Sequence, residues 1–196
     1  MRLRHLSVRL VWVGLSLLGG TAGAQEATVV LDEVRSLAPR NYGNLRIGAS
    51  SSSRHPALCL ELSPLEMLSI DACGTGSGFL HHDPAPEIAH FRAWVKLASW
   101  KTALGWLQPR VGAGFAELQV GEDTSGFHFS GVGPTGVETA GPEVGASLRL
   151  LFPVVTGVEL VGEVGLGAMY FHHAPRLLQP QSALQPAASV SVGVGF

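Results

Sequence analysis

Histidine is the residue with the widest chemical scope in this chain, and its placement is uneven. Of eight histidines, His5 lies in a basic N-terminal run and His90 within an alternating segment. The other six, His55, His81, His82, His128, His172 and His173, fall in stretches rich in Gly, Ser and Pro. Imidazoles from separate loops that meet at one point bind zinc, copper or nickel, which makes these six the candidate metal ligands. Exposed histidine on a polar loop is also ordinary, and no spacing here fixes a ligand set, so no metal and no cofactor is expected. The same residues allow acyl transfer: His81, His82, His172 or His173 beside Ser77 or Ser125 would make a nucleophile and base, with Asp83 or Glu87 nearby as an acid. No G-x-S-x-G motif singles out a nucleophile, and no catalytic residue is assigned. Gly74-Thr75-Gly76-Ser77-Gly78 lacks the lysine and following helix of a phosphate-cradling loop.

Two cysteines, Cys59 and Cys73, are equidistant from Glu66. A symmetric hairpin about Glu66 places them opposite each other on one face. In an oxidising compartment that arrangement favours a disulfide. Zinc competes poorly, because two thiols without a third ligand make an incomplete site. A further set of charges shares a face with these cysteines and their equivalents in other segments. It comprises Arg46, Arg92, Lys96, Arg110 and Arg149 against Glu61, Asp71, Glu159 and Glu163. So near a balance is what a paired, water-poor network needs, since an unpaired buried charge is costly.

The elements that must position these residues read in twos. In the last stretch Ala188, Val190, Val192, Val194 and Phe196 alternate with Ser189, Ser191, Gly193 and Gly195. Period two is the mark of a strand with unlike faces. The same sorting upstream predicts eight strands, at about 43–52, 57–63, 67–75, 87–97, 107–119, 142–152, 157–171 and 185–196. Leu151, Val161 and Met169 break the rule. Connections near 64–66, 98–106 and 153–156 alternate with a second set near 53–56, 76–86, 120–141 and 172–184, three of which are long. Short turns at one end and long loops at the other are the asymmetry of outer-membrane barrels. A soluble sandwich or barrel with its apolar face inward shares the alternation. Trp100 and Trp106 flank one short turn, with Phe152 and Phe196 at the same level and Phe91 and Tyr170 toward the other end, which suits two aromatic girdles. The Gly-rich segment 121–141, with Phe127 and Phe129 flanking His128, reads as an exposed recognition loop or a hairpin extension.

The N-terminus supplies an address. Arg2, Arg4 and Arg9 precede an apolar run from Leu10 to Leu18 and an A-x-A site at Ala22-Gly23-Ala24. This predicts a signal peptide over 1–24; the apolar run is too short for a comfortable membrane-spanning anchor helix. Residues 25–42 then form a periplasmic lead-in, in which 28–34 could add a strand or plug, and 43–196 the barrel. Removing three arginines leaves ten basic against fifteen acidic residues, a mature net charge of −5. That balance argues against a nucleic-acid partner.

The final ASVSVGVGF resembles the C-terminal insertion signal of bacterial outer-membrane proteins, with Val190, Val192 and Val194 at alternate positions back from Phe196. With the signal peptide and eight alternating segments, 43–196 resembles the small outer-membrane barrels of the outer membrane protein A and X type. The resemblance implies an all-β, eight-stranded antiparallel up-and-down transmembrane barrel. It also implies insertion by the barrel-assembly machinery of a Gram-negative cell, with both termini periplasmic. The chain carries no segment resembling the peptidoglycan-binding domain of some members. Members of such families differ in function. The expectation is a monomeric, non-enzymatic structural or surface-interaction protein with outer-membrane lipid as its partner and an unidentified extracellular ligand. A small porin-like pore or carrier and a lipid-modifying enzyme are the alternatives.

Overall fold

The computed structural model describes residues 41–76, 85–121 and 127–196. The signal peptide, nearly all of the lead-in, and Ser77, His81, His82, Asp83 and Ser125 lie outside the described residues. Among the described residues nine strands form in chain order: β1 (Gly43–Ser50), β2 (Ala57–Leu62), β3 (Leu68–Gly74), β4 (Glu87–Lys96), β5 (Trp100–Thr102), β6 (Gly105–Gln119), β7 (Glu138–Val155), β8 (Val158–Tyr170) and β9 (Leu184–Gly195). All pairings are antiparallel, in the order β4-β3-β2-β1-β9-β8-β7-β6-β5, and β4 also pairs β6, which closes the sheet.

The wall has eight strands because β5 continues β4 along the same partner. Lys96 opposes Arg110, and Trp100 then opposes Leu107. The β4–β5 side carries one extra residue between those pairs, a bulge that reverses which face each following side chain takes. Trp94 therefore points inward while Trp100, of the same parity, is exposed. Trp106 shares the parity of Gln108 and Arg110 and is buried in the interior. Its expected place in an outer girdle is thereby corrected.

Which face goes inside is inverted from a soluble barrel. Arg46 is 2% exposed while its neighbours Leu45 and Ile47 are 49% and 55% exposed. The same inversion runs around the wall: Leu60, Ile70, Val95, Val111, Val144, Val164 and Val192 are all exposed. Glu61, Asp71, Trp94, Arg110, Arg149 and Glu163 are buried. The residues that broke the alternation, Leu151, Val161 and Met169, also face inward and are buried.

β7 begins at Glu138, ahead of the predicted 142, and pairs with β6 as far as Gln119. Its pairing with β8 starts only at Glu143. The segment Glu138-Thr139-Ala140-Gly141-Pro142 has no apolar alternation. Its strand geometry comes from the β6 partner, with further backbone bonds to residues 128–133. Tyr42 N donates to Phe196 O at 2.8 Å, so the beginning of β1 and the chain end share one rim. That rim also carries the short turns; the longer connections stand at the other.

Candidate functional site: the charged interior

Seven strands send a charged group to one cluster. Glu61 on β2 accepts from Arg46 Nη2 at 3.0 Å, from Arg110 Nη1 at 2.9 Å, and from both Nη1 (2.7 Å) and Nη2 of Arg149. In the closed order β2 and β7 are four strands apart, on opposite walls. The Glu61–Arg149 pair therefore ties the barrel across its lumen. Glu163 on β8 accepts from Arg149 Nε at 2.8 Å and lies 2.9 Å from Arg46 Nη1. Asp71 on β3 takes Arg92 in a two-pronged pair, Nε to Oδ1 and Nη2 to Oδ2, each at 3.0 Å, and also Arg46 at 3.2 Å. Arg92 reaches Glu143 at 3.4 Å, and His90 Nδ1 lies 3.0 Å from the same carboxylate.

Trp94 organises the centre. The guanidinium carbons of Arg92 and Arg110 lie 5.0 Å and 4.7 Å from its ring, within cation–π range. Among the described residues Arg110 Nε and Nη2 have no hydrogen-bond partner, and its guanidinium lies against the ring. The ring has room because Gly112 is its cross-strand neighbour: a Cβ there would lie 2.6 Å from the indole. Small residues on the polar face are thus a packing requirement of a narrow barrel.

Seven of the nine sequence-assigned charges converge: Arg46, Glu61, Asp71, Arg92, Arg110, Arg149 and Glu163. Two do not. Lys96 lies 3.6 Å from the exposed Glu66 at the turn rim, and Glu159 accepts from Asn41 Nδ2 at 3.2 Å. Along their own strands, Lys96 lies two inward positions past Arg92 and Glu159 two past Glu163, toward the short turns. Glu143 and His90 complete the set. The parity of Glu143 with Arg149 was the available signal for the former. Cys59 and Cys73 form the disulfide, as direct register partners facing the lumen. Arg92 Nη2 donates to Cys73 Sγ at 3.2 Å.

The remaining space is slight. A cavity of about 50 Å³ borders Arg46, His90, Trp94, Glu143 and Ser191, and one of about 40 Å³ lies at the short-turn end beside Gln108 and Lys96. Such polar spaces hold a few ordered waters. Above the larger one Ile88, Leu118, Met169, Phe171, Ala174 and Leu177 form an apolar plug at the long-loop end. Ala174 and Leu177 come from the β8–β9 connection, which folds over the barrel mouth through a 3-10 turn at Ala174–Arg176.

The loop histidines have separate neighbours. His55 Nδ1 lies 2.6 Å from Glu87, which also bonds Thr75. His128 Nδ1 lies 2.8 Å from Glu138. His172 and His173 stack edge to face, 4.8 Å between centroids. Desolvation, then the adjoining His172 and Arg176, holds the His173 imidazole below its ordinary pKa. Among the described residues no group of three or more His, Cys, Asp or Glu side chains is placed to hold a metal. Val190, Val192, Val194 and Phe196 all point outward from the last strand.

No family model matches the chain, and no curated protein does. Among solved structures it is similar to the N-terminal β-barrel domain of Pseudomonas aeruginosa OprF, at 12% identity over 79% of this chain and 95% of that one, with a TM-score of 0.44. Neisserial surface protein A aligns at 11% identity over 79% and 93%, with a TM-score of 0.46. A de novo designed transmembrane β-barrel aligns at 15% identity over 81% and 95%, with a TM-score of 0.39. Likeness at these identities concerns fold alone; the eight-stranded closure rests on the register of this chain's own strands.

Proposed function

We propose that this chain is an integral outer-membrane β-barrel whose role is structural and surface-presenting rather than catalytic. The observation that carries the reading is the inverted face pattern. A wall of exposed Leu, Val and Ile around a core of paired ions is unfavourable in water and favourable in lipid. The band also has a suitable height. On β8 the outward set from Leu160 to Tyr170 carries no charge. Eleven residues rise about 34 Å along a strand, or about 24 Å along the axis at a tilt of about 45°, close to the apolar band of about 25 Å in such barrels.

The orientation follows from the rims. The short-turn rim, with the beginning of β1 and the chain end, faces the periplasm, and the longer connections face outward. The outward row of Val190, Val192, Val194 and Phe196 on the last strand is the face the barrel-insertion machinery would read. The barrel is monomeric in this reading, with lipid as its continuous partner, and its leader is the signal peptide over 1–24.

The test is fractionation of cells that make the protein, followed by gels of unboiled and boiled outer membrane. A band in the outer-membrane fraction that migrates differently before and after boiling is the expected result. A soluble band with no heat shift overturns the proposal.

A further inference from the structure

We infer that residues 127–137 of the β6–β7 connection serve as a lipid anchor on the barrel wall, with Phe127 and Phe129 seated in the outer leaflet. The inference rests on the outer-membrane reading above and names the partner of one loop. Phe91 on β4 and Phe115 on β6 face outward as register partners, and their rings stack at 5.2 Å. Phe127 meets both edge-on, at 5.0 Å from Phe91 and 5.2 Å from Phe115, and Phe129 meets Phe115 at 5.4 Å. Phe127 and Phe129 thus add two rings to the wall.

The height of this patch identifies what covers it. Phe91, Phe115 and Pro142 form one register row, at the upper end of the uncharged outward set. The next outward position on β6 is Glu117, which is only 7% exposed. The loop backbone is bonded at that level: Ala140, the register partner of Glu117, donates to His128 O at 2.9 Å. Thr139 Oγ1 donates to Gly131 O at 2.9 Å, and Gly133 N to Glu138 O at 2.9 Å. The loop is therefore pinned, and its phenylalanines are held at the upper edge of the apolar band. Phe127 and Phe129 nonetheless remain 43% and 53% exposed.

Over residues 127–140 Glu138 is the one formally charged side chain, and it is buried. Among the described residues of the loop, no formally charged side chain is exposed. The patch is continuous with the band through Leu60, Ile70 and Ala72, which line a shallow outer groove with Phe91 and Phe115. Aromatic side chains at the boundary of the hydrocarbon are stable there. A lipid surface is the occupant this continuity favours over a soluble partner.

The experiment uses the full mature chain refolded into phosphatidylcholine vesicles with brominated acyl chains, which quench tryptophan on contact. Phe129→Trp reports on the loop, and Leu166→Trp, from the middle of the band, reports on insertion. Each is read against the parent, whose own tryptophans are common to all samples. The expected result is fluorescence loss for both reporters, with Phe129→Trp quenched more by bromines near the headgroup than by bromines near the chain ends. Quenching of Leu166→Trp with no change for Phe129→Trp overturns the anchor and leaves the membrane reading standing. Absence of quenching for both overturns the membrane reading and the anchor with it. Phe127→Trp serves as the second loop reporter if Phe129→Trp does not reach the heat-modifiable form.

Discussion

Glu61 is the residue on which the interior turns. Three guanidiniums from β1, β6 and β7 converge on its two oxygens, and it has no exposure to solvent. Removing one partner of a buried ion network leaves charge without compensation, which costs about 3–5 kcal/mol. Glu61→Ala is therefore expected to destabilise the folded barrel by that amount in urea titrations followed by tryptophan fluorescence. Lys96→Ala, whose ammonium meets only an exposed carboxylate in the described structure, should shift stability by less than about 1 kcal/mol. Equal losses for the two would mean that the cluster does not bear on stability. The face and parity of Arg46, Glu61, Arg110 and Arg149 were legible from alternation. That Glu61 receives three of the arginines was not, because alternation places side chains in the lumen without saying how far each reaches across it.

At the scale of elements, the β2–β3 hairpin shows local order that is readable and the β4–β5 strand shows order that is not. Symmetry about Glu66 predicts Cys59 opposite Cys73, and the register and disulfide agree. Both sulfurs lie in the closed interior beside Asp71 and Arg92. The folded barrel should therefore resist water-soluble reductant, while the boiled chain is reduced at once; a maleimide mass-tag gel on both forms measures this. Ready labelling of the folded form would mean that the interior opens. The bulge between Lys96 and Trp100 left no mark in composition, since Leu97-Ala98-Ser99 suits either register. Only the β6 partner, by taking Trp100 opposite Leu107, shows where the extra residue lies. The early start of β7 has the same cause: strand geometry imposed by a neighbour on residues with no alternation of their own.

Across the whole molecule, ions fill the middle of the lumen and an apolar plug closes its long-loop end. Among the described residues, the two interior cavities beside the cluster are about 50 and 40 Å³. Reconstituted in a planar bilayer, the barrel is expected to give no steady unitary conductance; persistent channel steps would require the Glu61–Arg149 tie or the plug to open. The sequence by itself determined the strand number, the sorting of each strand's residues into two faces, the cysteine pairing and most of the charges that share the polar face, because period two is a local property that each strand carries alone. Tertiary structure decided the rest: closure of the sheet by β4 on β6, the pairing of ions across the lumen, the inward place of Leu151, Val161, Met169 and Trp106, and the return of Phe127 and Phe129 to the wall. Each of these depends on groups far apart in the chain meeting at a set distance, and no window of sequence contains both partners.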